Sequence, residues 1–216
     1  MKQIETTLDH RLLLPERFSA AGHPTILMLH GRGSDEEDLL SLAQFLDQRF
    51  LLIGARAPYP FPSGGYTWYD LQEIGDPHPD MFITAYRKLS RFLDDILAGY
   101  PVDPATVLLF GFSMGTVMSY ALALTRPDRI RGVAANSGYL PEVPSLTYRW
   151  QELAHTEFFI SHGTEDPVIP VAMARRAREL LEASNAPIIY HEYTMPHTIG
   201  EQTLHDVVAW TARFLP

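Results

Sequence analysis

The chain has 216 residues, 46% of them hydrophobic, and a formal net charge of -9; this is enough apolar material for one large core, and a single α/β domain over residues 1–216 is expected. The acidic balance and the lack of Lys/Arg clusters set aside nucleic acid and anionic membranes as main partners, since either needs a basic footprint. With no cysteine, the chain has no disulfide, thiolate nucleophile or cysteine-based metal site.

In chain order, the opening MKQIETTLDHRLLLPE has no apolar leader-like stretch, and nowhere do about eighteen apolar residues run together, so a soluble, cytoplasmic protein without membrane spans is expected. QIETTLDHRLLL reads as an antiparallel edge strand. TILMLH (25–30) and LLIGA (51–55) are continuous apolar runs that suit strands covered on both faces. Between them, Ser34 followed three residues later by Glu37 predicts a capping box, with the acidic DEED in the first turn of the helix it opens. From Arg56 to Pro79 the chain is rich in Pro and Gly and long for a connection, the kind of loop that often carries function. Met81, Ile83, Tyr86, Leu89, Phe92, Leu93, Ile96 and Leu97 then follow helical spacing and predict one buried stripe. Further strands are expected at TVLLFGF (106–112), IRGVAANSG (130–138), EFFISHG (157–163) and IIYHEYT (188–194), and Thr198 with Glu201 predicts a second capping box. This alternation points to a mostly parallel, doubly wound α/β sheet with helices on both faces.

The segment LLFGFSMGTVMSYALAL contains Gly-Phe-Ser-Met-Gly between a strand-like run and a helix-like run that lasts until Pro127. That is the setting of a nucleophile elbow, in which glycines two before and two after the serine let strand and helix pack closely while a strained backbone projects Oγ. A serine hydroxyl is a poor nucleophile at neutral pH, so Ser113 needs a base and an orienting carboxylate. In the α/β-hydrolase order Ser, Asp/Glu, His, each lies just beyond a later strand. Asp166 follows EFFISHG and His197 follows IIYHEYT. Glu165 is the rival acid, but Pro167 biases Asp166 toward a fixed extended backbone and favours it. His191 within a strand and His205 within the last helix read as structural, and His30 as a brace of its loop. Two backbone N–H groups should complete the site as an oxyanion hole: Met114, after the nucleophile, and Arg32 in HGRGS. The Arg32 side chain either faces solvent or meets an acidic substrate; the sequence leaves both open. No His-Glu-x-x-His pair or other metal-ligand spacing occurs, and no Gly-Lys-Ser/Thr phosphate loop.

LMLHGRGSDEEDL, GYTWYDL, VLLFGFSMGTVMSYALAL, NSGYLP, SHGTEDPVIP and MPHTIG, in this order, together resemble the phospholipase/carboxylesterase family of α/β hydrolases, which includes the acyl-protein thioesterases. The resemblance spans nearly the whole chain. It implies an α/β-hydrolase fold without a separate cap domain, no metal or organic cofactor, a Ser113–Asp166–His197 triad and oxyanion amides at Arg32 and Met114. It also makes Tyr66 and Trp68 candidates for substrate contact, with packing of a long loop as the alternative. The family often has Leu where Arg32 stands and Gln where Met114 stands. The expected activity is that of a serine carboxylesterase acting on small-molecule esters of small to medium acyl chains through an acyl-enzyme. Thioester or lysophospholipid cleavage on the same triad, and a non-catalytic ligand-binding protein, are the alternatives. A homodimer is compatible with this reading.

Overall fold

The computed structural model describes residues 3–18 and 22–216. The edge strand β1 (His10–Leu13) is followed by β2 (His23–Leu29), a 3-10 segment (Leu39–Phe45) and β3 (Leu51–Ala55). The long connection that follows is more ordered than its composition predicts. It folds into two short ribbons, β4 (Tyr59–Pro60) against β5 (Tyr66–Thr67) and β6 (Leu71–Glu73) against β7 (Asp76–Pro77). Then come α1 (Pro79–Gly99), β8 (Val102–Phe112), α2 (Met114–Thr125), β9 (Gly132–Asn136), a second 3-10 segment (Trp150–His155), β10 (Glu157–Gly163), α3 (Val171–Glu182), β11 (Ile188–Tyr193) and α4 (Glu201–Ala212).

Seven strands form one sheet in the order β1-β3-β2-β8-β9-β10-β11. β1 is the antiparallel edge strand, and all other pairings in that sheet are parallel. The parallel registers carry alternation across the sheet. Ile26, Leu52, Leu108, Ala134 and Phe159 face one apolar layer, where they meet Leu39, Leu40, Val207 and Trp210. Leu27, Ile53, Leu109, Val133 and Phe158 face the other, covered by α1, α2 and α3. Both faces of the inner parallel strands are therefore dry, which is why they read as unbroken apolar runs, whereas the edge strand β11 is only partly buried.

α2 is buried from Met114 to Leu124, lying between the sheet and α1, so it is apolar around its whole circumference. In α1 the predicted stripe is displaced slightly. Phe82 and Ala85 join Leu89, Phe92, Leu93 and Ile96 in the core, whereas Met81, Ile83, Tyr86 and Leu97 are only partly buried along its edges.

Neither capping box forms. The amide of Tyr66 donates to the Ser34 carbonyl at 2.7 Å and that of Gly33 to the Tyr66 carbonyl at 2.8 Å, so Ser34 is held in a bridge to β5. Asp35 instead accepts from the Glu37 amide at 2.9 Å, and DEED forms turns ahead of the 3-10 segment rather than the first turn of an α-helix. α4 starts two residues later than the Thr198 pattern requires, with Gly200 at its N-cap. The Thr198 carbonyl accepts from the Ser137 hydroxyl at 3.2 Å, which ties this segment to the loop after β9.

A partly buried ion pair fixes the loop after β2. Arg56 Nε donates to Glu36 Oε2 at 2.6 Å, and the Glu36 side chain is 5% exposed. The guanidinium holds the Glu36 carboxyl below its ordinary pKa. The same guanidinium lies 4.6 Å from the Tyr66 ring centroid, joining the loop after β2 to the ribbons.

Among the described glycines, the closest backbone approach is at the start of α2. A Cβ on Gly115 would lie 1.8 Å from the Leu29 carbonyl oxygen, and one on Gly111 would lie 2.6 Å from Thr116 Cα. Both obstacles are backbone. Gly115→Ala is therefore expected to destabilise the protein by more than about 2 kcal/mol in urea unfolding, the range of a forced core clash; a loss under about 0.5 kcal/mol would show that α2 can shift away from β2.

Candidate active site

Ser113 stands between β8 and α2 with φ 55° and ψ -119°, a left-handed conformation rare for a residue with a Cβ. Such a backbone costs on the order of 1–3 kcal/mol and persists only when its surroundings dictate it. Here the Ser113 amide donates to the Asn136 carbonyl at 3.0 Å, and the Ser113 carbonyl accepts from Thr116 and Val117 at 3.0 and 3.3 Å. Asn136 is itself locked: its Nδ2 donates to the Gly111 carbonyl at 3.0 Å, and its Oδ1 accepts from Ser161 at 2.8 Å. Thr116 Oγ1 donates to the Asn136 carbonyl at 2.7 Å. This buried polar network beneath the turn was not legible in the sequence, because its members come from β9, β10 and α2.

The parallel sheet brings the ends of β8, β10 and β11 to one edge. Ser113 Oγ lies 2.9 Å from His197 Nε2, and His197 Nδ1 lies 2.7 Å from Asp166 Oδ2. An ionised carboxylate only accepts, so Nδ1–H donates to Asp166 and Nε2 is left to accept from the serine hydroxyl. The other Asp166 oxygen, Oδ1, accepts from the amides of Val168 and Ile169 at 2.8 and 2.9 Å. Burial alone would push the Asp166 pKa up, but the hydrogen bonds from His197 and the two amides outweigh it and hold the carboxyl below its ordinary value. Glu165, the rival acid, is exposed and has only its backbone amide drawn toward this region, donating to Met195 at 3.2 Å. The loops carrying Asp166 and His197 touch: a Cβ on Gly163 would lie 2.2 Å from the Met195 carbonyl oxygen.

His162 is a second histidine on the same carboxylate. Its side chain is fully buried, with Nε2 2.8 Å from the Ile169 carbonyl and 3.3 Å from Asp166 Oδ2. Burial pushes its pKa down, so the ring is neutral and Nε2–H points at this pair of acceptors. Its Nδ1 has no partner among the described residues. The hint in the sequence was a histidine inside a buried strand four residues before the acid.

Arg32 and Met114 flank the serine. A Cβ on Gly31 would lie 3.4 Å from Ser113 Cβ, so the backbone entering Arg32 abuts Ser113. Met114 is the first residue of α2, where N–H groups lack intrahelical partners. The Arg32 side chain is exposed, with its guanidinium 4.6 Å from the Phe61 ring centroid. The Met114 side chain is 5% exposed, and its Sδ lies 3.3 Å from Thr67 Oγ1, so it fills space under the ribbons.

Trp68 packs inward, as in the loop-packing alternative. It is fully buried, and its indole N–H donates to the His30 carbonyl at 3.0 Å. Tyr66 is half-buried beneath Arg56, with its backbone paired to Ser34. His30 completes this brace. Its Nδ1–H donates to the Gly31 carbonyl at 2.7 Å and its Nε2 accepts from the Ala57 amide at 3.0 Å, both while burial depresses its pKa. The long loop thus holds the Gly31–Gly33 backbone beside Ser113.

The family profile described as phospholipase/carboxylesterase matches residues 17–214. The chain belongs to this family. It is a hydrolase of the α/β-hydrolase fold, in keeping with the resemblance carried by its motifs. It is 26% identical to acyl-protein thioesterase 1 of Candida albicans, over 90% of this chain and 93% of that one. It is 27% identical to a probable SOBER1-like carboxylesterase of Arabidopsis thaliana, over 86% of this chain and 76% of that one. Among solved structures, the Bacillus cereus carboxylesterase superposes with a TM-score of 0.85 at 22% identity, covering 96% of this chain and 95% of that one, a likeness of fold. Among the described residues, no helix is long and apolar enough to cross a membrane, and no group of three His, Cys, Asp or Glu side chains could hold a metal ion.

The Asp166 environment has a pH signature. A carboxyl whose folded pKa is depressed stabilises the fold above its unfolded pKa, and that contribution is lost as pH falls toward the folded value. The stability difference between wild type and Asp166→Asn should therefore be constant above about pH 5 and move in the variant's favour below it. Urea unfolding at a series of pH values measures this, and a difference independent of pH would contradict the environment described.

Proposed function

We propose that Ser113, His197 and Asp166 carry the hydrolase activity of this chain, on carboxylic esters of small to medium acyl chains. Supporting this reading above all is the unbroken chain of hydrogen bonds from Ser113 Oγ through His197 to Asp166 at the ends of three parallel strands. Ser113 Oγ attacks the ester carbonyl as its proton passes to His197 Nε2. Asp166 holds the imidazole in the tautomer that accepts that proton and stabilises the imidazolium that results. The amides of Arg32 and Met114 receive the oxyanion of the tetrahedral intermediate. The intermediate collapses by breaking the bond to the alcohol oxygen, which takes the proton from His197 Nε2. Water, deprotonated by His197, then attacks the acyl-serine, releasing the carboxylic acid and restoring Ser113.

This chemistry needs neither metal nor organic cofactor, and we take residues 1–216 as one cytoplasmic domain that performs it. The preference for shorter acyl groups is supported by packing behind the turn. Met114, Trp68, Tyr69 and Tyr139 are nearly solvent-free there, with the Tyr69 and Tyr139 hydroxyls 3.4 Å apart. Thioester hydrolysis is the second reading, favoured by the thioesterase among the relatives; the same steps apply with sulfur in place of the alcohol oxygen.

Ser113→Ala should lower turnover of p-nitrophenyl butyrate by on the order of 10⁴- to 10⁶-fold while the fold is retained. Near-normal turnover in that variant would refute the assignment. Across p-nitrophenyl esters from acetate to palmitate, kcat/KM should peak among the shorter acyl groups, and a maximum at palmitate would contradict the chain-length preference.

A further inference from the structure

One cavity beside the candidate active site is left unused by the steps above. A cleft of about 180 Å³ is lined by Leu39 and Leu42 from the segment after β2, by Phe112 at the end of β8, and by Thr198 and Ile199 after β11, with Asp38 among its residues. Phe112 immediately precedes Ser113, and Thr198 immediately follows His197. The Phe112 ring lies 5.0 Å from the His197 ring, centroid to centroid. Leu42, Phe112 and Ile199 are each only half-buried, so apolar surface stands open next to the base.

The two apolar layers of the fold diverge at Ser113. Leu39, Leu42, Phe112 and Ile199 pack with the layer of Ile26, Met28 and Phe110. Met114, Tyr69 and Tyr139 pack with the opposite layer, under α1 and α2. An ester bound for attack also has two sides. Its carbonyl oxygen must face the Arg32 and Met114 amides, and its alcohol oxygen must come within hydrogen-bonding reach of His197 Nε2, which protonates it on departure. The substituent on that oxygen then extends on the His197 side, toward Phe112 and Ile199 rather than toward Met114.

We propose that this cleft is the binding site for the alcohol half of the ester, and that it takes an uncharged, apolar alcohol: a chain of a few carbons or a single ring. Its four apolar side chains reward burial of methylenes, and Asp38 disfavours an anionic alcohol. The proposal rests on the assignment of Ser113 and His197 as nucleophile and base, and it adds a determinant of leaving-group selectivity to that reading.

The test uses acetate esters of linear alcohols from methanol to hexanol, which share one acetyl-enzyme and differ only in the half that departs. Wild-type kcat/KM should rise roughly two- to fourfold per methylene until the cleft is full, given the free energy of burying a CH₂. Ser41 also lines the cleft, and among the described residues its exposed hydroxyl bonds only locally, to the Asp38 carbonyl. Ser41→Trp should fill the space and flatten the rise, and Leu42→Ala should extend it to longer alcohols. Hydrolysis of the acetyl-enzyme, measured in a single turnover after the alcohol has left, should keep its wild-type rate in both variants. A length dependence unchanged in both, or a slowed acetyl-enzyme hydrolysis, would overturn the cleft assignment. Mass spectrometry of the trapped wild-type intermediate separates the two levels. With an acetyl group on Ser113 and a length dependence indifferent to both substitutions, only the cleft assignment falls; with no acetyl group on Ser113, the nucleophile assignment falls with it.

Discussion

The fold depends on a left-handed backbone at one residue with a side chain. Ser113 turns the chain from β8 directly into α2, and so brings Oγ out at the sheet edge. That turn exists because Gly111 and Gly115 permit backbone to approach backbone where any Cβ would collide with Thr116 or Leu29. Asn136, Ser161 and Thr116 then secure the carbonyls and amides around it. The strain is local, and the restraint comes from three neighbouring elements.

The other parts of the site are positioned by the same sheet edge. Parallel strands end at one side, so loops that are distant in sequence converge there, as expected for ligand sites in open α/β sheets. The Asp166 loop is held by two amides on its carboxylate and by the neutral His162 behind it. The loop after β2 is held by a partly buried ion pair, Arg56 with Glu36, and by the His30 and Trp68 brace. These groups act through positioning. Each removes freedom from the loop that carries Asp166 or from the Gly31–Gly33 backbone.

Much of this organisation was legible in the sequence. The strands Leu51–Ala55 and Glu157–Gly163 were found with their full bounds, because apolar runs covered on both faces end abruptly at polar or turn residues. Gly-Phe-Ser-Met-Gly was legible because strand, turn and helix signals meet at one point. The capping boxes misled because a local pattern lost to long-range pairing: Ser34 is bridged to Tyr66 and the Thr198 carbonyl is held by Ser137. For Trp68 the sequence left substrate contact and loop packing both open, because nothing in a loop rich in Pro and Gly says which way a ring turns; the ribbons fold it inward onto the His30 carbonyl. The cleft beside His197 could not be read at all, since its walls come from segments about 70 and 85 residues apart.

The central claim is that Ser113, the imidazole of His197 and the amides of Arg32 and Met114 converge on one reacting carbon. A crystal structure of the protein treated with an alkyl fluorophosphonate tests this most directly, because the adduct mimics the tetrahedral intermediate. Phosphorus should be bonded to Ser113 Oγ, with its phosphoryl oxygen about 2.7–3.1 Å from both amide nitrogens and the alkoxy group on the Phe112 and Ile199 side. A label on any other residue, or a phosphoryl oxygen that meets neither amide, would contradict that claim.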